Sequence, residues 1–170
     1  MKPRCTSLAK RHGLLRGMST TKASPLVRAV PVFFGSWKDK GAGHGQVDTV
    51  VHCGSKLMGD MVYTVNYIDV ATCWVEPVAQ LNKTERATTR SMETVRQRLP
   101  WELKELHPDS GSEFLNDLAI RWARANNIAM TRSRPSKKND NAFVEQKNRS
   151  VVRAYVGYGR YDCIEAVDTM

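Results

Sequence analysis

A chain of 170 residues can bury one sizeable core and is too short for two ordinary domains with linkers, so one domain is expected. Its 26 Lys and Arg against 17 acids give a net charge of +9, which excludes an acidic surface and suits either a polyanionic partner or a solvated basic face. No apolar stretch approaches the roughly twenty residues of a membrane span, Ala29 to Phe34 being the nearest, which excludes a helical membrane protein.

The charge is unevenly placed. Residues 1–38 carry eight Lys or Arg and no acid, 39–130 carry ten against twelve, 131–160 carry eight against two, and 161–170 carry three acids alone. Two basic blocks flanking a near-neutral middle fit a nucleic acid, because each neutralised phosphate releases counterions. Cys5, Cys53, Cys73 and Cys163 are far apart and form no C-x-x-C, which argues against a zinc site or a disulfide framework and for reduced thiols. Cys53 and Cys73 are expected on strands as small core residues.

Residues 1–40 read as a basic arm and linker, with a short helix around Ser7 to Arg16 and a glycine-rich stretch from Lys38 to Gly45. Gln46 to His52 is the first expected strand, with Gln46, Asp48, Val50 and His52 on one face and Val47, Thr49 and Val51 on the other. Met61 to Ile68 and Thr72 to Pro77 follow as a hairpin, with Asp69 in a structural turn role. Asn82 and Glu85 resemble a capping pair, and Thr88, Met92, Val95 and Leu99 then mark an amphipathic helix that ends at Pro100. Leu103 to His107 is a fourth strand. Ser112 is the expected cap of a helix striped by Leu115, Leu118, Trp122 and Ala125, which Asn126-Asn127 stops. Ile128 to Thr131 gives a fifth strand, a polar loop follows, and a last helix covers about Asn141 to Tyr155.

Three acids stand out in this layout. Asp48 interrupts the β-rich run Gln46 to His52, where a carboxylate is disfavoured unless something offsets its desolvation. Asp109 falls where a strand stops before Ser110-Gly111-Ser112, and Glu145 lies on the last helix, at a separation of 145 − 109 = 36. Each has an ordinary explanation as well. Asp109 suits a turn, Asp48 a hydrogen bond to His52 or Thr49, and Glu145 an ion pair with Arg149 one helical turn on.

Taken with the motifs VDTVVHCG, YTVNYIDVATCWVEP, HPDSGSEF and TRSRPSKKNDNAFVEQKN, the three acids resemble the D,D-35-E set of the retroviral integrase and bacterial insertion-sequence transposase superfamily. Ser110 departs from it, standing where many relatives have Asn. The resemblance spans about Gly17 to Tyr161 and implies an α/β, ribonuclease-H-like fold: a five-stranded mixed sheet flanked by helices. It implies a catalytic core at 41–160 and a tail at 161–170 that reads as truncated, since relatives carry an end-recognition region upstream and further helices downstream.

By the same resemblance, Asp48, Asp109 and Glu145 are the catalytic and metal-binding residues, holding two Mg²⁺ or Mn²⁺ ions. The implied activity is polynucleotidyl transfer, that is, cleavage of a DNA phosphodiester and strand transfer into target DNA. Lys137, Lys138, Lys147, Arg149 and Arg153 surround Glu145 and are the expected phosphate contacts. The implied partners are DNA and further copies of the chain, with no membrane and no organic cofactor, in a bacterial cytoplasm at the nucleoid. The alternative is a remnant that binds DNA without catalysing.

Overall fold

The structure, a computed structural model, describes residues 24–134 and 137–170, without the side chain of Lys138. The helix expected around Ser7 to Arg16 lies outside the described residues, as does Cys5. The strands are β1 (His44–His52), β2 (Val62–Asp69), β3 (Val75–Leu81), β4 (Glu105–Pro108) and β5 (Ala129–Met130). They form one mixed sheet in the order β3-β2-β1-β4-β5. Neighbouring β1, β2 and β3 pair antiparallel, whereas β4 runs parallel to both β1 and β5.

Helix α1 is Pro25–Ala29, α2 is Glu85–Arg98 and α3 is Asp117–Ala125. A 3₁₀ turn at Lys138–Asn141 leads into α4 (Ala142–Lys147), a π-helical turn at Asn148–Arg153 and a final α turn, α5 (Ala154–Val156). After Gly157 the chain carries one more helix, α6 (Ile164–Thr169), in the segment expected only as a tail. Tyr161 ties that segment to the sheet, because its N–H reaches His52 O and its carbonyl accepts from Val62 N.

The strand alternation expected for β1 is what builds the two layers. Val47 turns toward α2 and α3, where it joins Val65, Tyr67, Met92, Val95, Leu106, Phe114, Ala119 and Ile128 in the main core. The opposite face carries Gln46, Asp48 and Asn66, and the helix that starts at Ala142 lies over it through polar contacts. A second, smaller cluster of Val30, Leu115 and Ile120 receives Leu26 and Val27 from α1. Apolar residues inside an otherwise basic segment thus hold residues 25–30 against α3.

Several local expectations shift. Thr84, not Asn82, caps α2 by accepting from Ala87 N, while Asn82 takes a left-handed φ of 59° at the end of β3. Asn116, not Ser112, caps α3, since its side chain accepts from Ala119 N and also donates to Ser112 O and Glu113 O. The sequence before it is spent on a turn in which Phe114 and Leu115 donate to Gly111 O. Strand β3 starts later than expected because Asp69 organises the preceding turn: it accepts from Gly43 N, Thr72 N and Thr72 Oγ1. Cys73 is an exposed turn residue with φ 62°, and Cys53 is only half-buried just past β1, so neither is a core residue. Asn127 ends α3 with φ 57°, the left-handed conformation a helix terminus favours.

Candidate active site

Parallel pairing of β1 with β4 puts Val47 opposite Pro108. One residue further along both strands stand Asp48, half-buried within β1, and Asp109, exposed just beyond the end of β4. Two acids distant in sequence are thereby brought to one edge of the sheet. Asp109 Oδ1 accepts from Gly111 N at 2.8 Å, so the turn Ser110-Gly111 steadies it.

The last helix supplies the third acid. Asn148 donates its amide to Asp48 Oδ2 at 2.7 Å. Glu145 is three residues earlier, hence on the same helical face one turn away, and it is exposed. Asn66, opposite Asp48 in the β1–β2 register, donates to Asn148 Oδ1 at 2.8 Å and so sets which way that amide faces. The other oxygen of Asp48 accepts from Thr49 N at 2.7 Å.

Electrostatics connects the three. Burial first, with the negative charges of Asp109 and Glu145 acting in the same direction and the hydrogen bonds from Thr49 N and Asn148 opposing, raises the Asp48 carboxyl to about 6. Among the described residues no three His, Cys, Asp or Glu side chains converge closely enough to form a ready metal cage. Asp109 and Glu145 both act on Asp48 through their charge. Their donor set, hard carboxylate oxygens with one member in charge-repelled burial, is of the kind Mg²⁺ or Mn²⁺ takes. Among the described residues Glu145 forms no ion pair with Arg149.

Of the expected phosphate contacts, Lys137 and Arg149 are exposed and Lys147 is half-buried, while the Lys138 side chain lies outside the described residues. Arg153 is engaged within the fold: its guanidinium donates to Val51 O at 2.7 Å and Gly157 O at 3.2 Å and stacks on Tyr158.

Both histidines near this edge are interior. His52 bonds Thr64, and His107 spans Thr131 and Ser133, with Phe33 and Trp37 edge-on to its ring. Burial lowers each to about 4. Thr131 passes this network to Glu105, whose buried carboxylate pairs with Lys40, itself lying over Phe33.

The structure adds residues that pattern reading missed. Glu113 accepts from Thr49 Oγ1 and pairs with Lys83, and a Cβ on Gly111 would stand 2.7 Å from its carboxylate and 2.8 Å from Asp109 Oδ1. Glu113 is therefore a fourth acid beside the site. Gln46, Asn66 and Asn148 act as amide connectors, and a Gln or Asn on a strand or helix face carries no pattern signal.

Among solved structures, the fold is similar to the catalytic core domain of BIV integrase, with a TM-score of 0.55 and 19% identity over 76% of this chain and 80% of that one. It is also similar to the simian T-cell lymphotropic virus intasome in complex with PP2A regulatory subunit B56 gamma, with a TM-score of 0.62 and 14% identity over 82% of this chain and 50% of that one. The class is thus fixed by architecture: the chain has the ribonuclease-H-like fold of integrase catalytic cores. In sequence it is 38% identical over 145 residues to the uncharacterized protein y4rM of Sinorhizobium fredii (strain NBRC 101917 / NGR234), covering 85% of this chain and 41% of that protein. The chain therefore spans about two fifths of that relative's length. No family model matches it. Among the described residues no helix is long and apolar enough to cross a membrane.

Proposed function

We propose that this chain is the catalytic core of a DDE-type transposase or integrase, a divalent-metal-dependent polynucleotidyl transferase that cleaves a DNA phosphodiester and joins the freed end to target DNA. The observation that carries the reading is Asp48: a strand carboxylate, half-buried, opposed by Asp109 and Glu145 from two other elements and oriented by Asn148. Structural carboxylates in a core are normally paired with a cation. This one faces two more acids, an arrangement that disfavours folding and suits a bound cation.

Asp48, Asp109 and Glu145 would hold Mg²⁺ or Mn²⁺. Bound there, the ions would supply Lewis-acid activation of the attacking hydroxyl and charge stabilisation at the leaving 3′-oxygen. The chain's own part is placement. Asn148 and Thr49 N hold the Asp48 carboxylate in one orientation, Gly111 N holds Asp109, and the exposed Lys137 and Arg149 would receive DNA phosphates. The two integrase likenesses support DNA as the substrate and an assembly of several copies as the working unit. The setting is a bacterial cytoplasm, at the nucleoid.

Strand transfer on DNA carrying the element ends tests the reading. The expected result is Mg²⁺-dependent joined product from the chain and none from Asp109→Asn. Equal, salt-sensitive DNA binding by both with no product from either would instead make it a DNA-binding remnant.

A further inference from the structure

Gln46 is fully buried on β1, two residues before Asp48 and on the same face of the strand. Its side-chain amide makes two hydrogen bonds, both across to the start of the last helix. Nε2 donates to Asp140 O at 2.9 Å, and Oε1 accepts from Val144 N at 3.1 Å. Asp140 and Val144 are four residues apart, so that carbonyl and that N–H are the pair a regular α-helix would bond directly. The amide of Gln46 is inserted between them and bonds both halves. A side chain inserted into the helical ladder is a recognised cause of local deformation, and here the segment before the insertion is 3₁₀ and the segment after α4 is π-helical.

We infer that Gln46 is a positioning residue for Glu145: by splitting the Asp140–Val144 step it fixes where the last helix begins and therefore where the residue after Val144 stands relative to Asp48. Because Gln46 and Asp48 belong to one strand, about 7 Å apart along it, the strand acts as a ruler between the helix start and the first carboxylate. Asn148 supplies the second point of attachment one turn later through Asp48 Oδ2, and the π turn that begins at Asn148 takes up the misfit between the two tethers. Without the amide, Asp140 O and Val144 N bond each other, the first turn tightens into regular α-helix and Glu145 shifts relative to Asp48. The catalytic consequence rests on the proposed function; the helix geometry does not.

Two variants and two readouts test this. Gln46→Met keeps the volume and removes both hydrogen bonds, whereas Gln46→Glu keeps an acceptor for Val144 N. A crystal structure of Gln46→Met is expected to show Asp140 O and Val144 N bonded directly and the Glu145 backbone displaced; Glu145 found in its original place overturns the inference. In strand transfer, kcat of Gln46→Met falls on the order of tenfold to a hundredfold, as for a catalytic group displaced by about an ångström, while KM for DNA stays within about twofold and Gln46→Glu recovers part of the loss. A fall in kcat matched by an equal loss of folded protein, with no recovery in Gln46→Glu, overturns it as well. If the wild-type chain gives no strand transfer, the catalytic reading fails, and the crystal structures alone then decide the inference. Should Gln46→Met not fold, Gln46→Leu, which also removes both hydrogen bonds, is read in its place, with Glu145 again expected to shift.

Discussion

Replacing Asp48 by Asn should make the protein more stable at neutral pH. The carboxyl titrates near 3.8 in an unfolded chain and at about 6 in the folded one, chiefly because burial disfavours its charged form. That difference of about two pH units corresponds to roughly 3 kcal/mol against the folded state once the group is ionised in both. Asn keeps the volume and the acceptor for Thr49 N but turns an NH₂ toward the amide of Asn148, forfeiting one hydrogen bond worth about 1 kcal/mol. The expected net gain is about 2 kcal/mol at pH 7.5, or roughly 4–8 °C in Tm for a domain of this size. The pH dependence fixes the cause. A carboxyl whose folded pKa lies above its unfolded value favours folding fully below about 3.8 and loses that contribution as pH rises through about 6. The advantage of Asp48→Asn should therefore vanish near pH 4. His52 and His107, both lowered to about 4, act oppositely: their contribution is present above 6.5 and is lost as pH falls toward 4. Without Asp48 to offset them, the variant should lose stability more steeply than wild type between pH 6.5 and 4. Urea midpoints at pH 7.5, 6 and 4 measure this; equal stability at pH 7.5, or an advantage that persists unchanged at pH 4, would refute the argument.

Two further substitutions probe the scaffold that carries the site. Lys40→Met removes the partner of the buried Glu105 carboxylate and should destabilise by about 3 kcal/mol, read from urea midpoints, since an uncompensated buried charge remains; a loss below about 1 kcal/mol would show that the Thr131 contact suffices for Glu105. Asp69→Ala strips the acceptor from Gly43 N and from both Thr72 groups and should cost about 3 kcal/mol, measured by thermal melts, while the folded fraction keeps its strand-transfer rate; a rate loss beyond the loss of folded protein would make Asp69 more than a turn residue.

The strands were readable because their burial follows an alternation with period two: Val47 packs on α2 and α3 while Gln46 and Asp48 face the last helix. Asp69 was readable as a turn residue from its place between two β-rich runs. The boundaries were less so, because capping is decided by one hydrogen bond: Thr84 and Asn116 win over Asn82 and Ser112 through side-chain contacts that no spacing reveals. Cys73 looked like strand because its neighbours are apolar, yet the Asp69 turn extends through it. At the site, Asp48 on β1, Asp109 just past β4 and Glu145 on the last helix could each be placed from the sequence. The amides of Gln46, Asn66 and Asn148 that organise them depend on contacts across 82 to 100 residues of sequence, where one chain alone gives no signal.

Calorimetric titration of Mn²⁺ into the wild-type chain and into Asp48→Asn, Asp109→Asn and Glu145→Gln shows whether Asp48, Asp109 and Glu145 serve one cation site. Binding by the wild type that weakens at least tenfold in each variant is the predicted result. Equal heats from all four proteins, or no binding by the wild type, would contradict it.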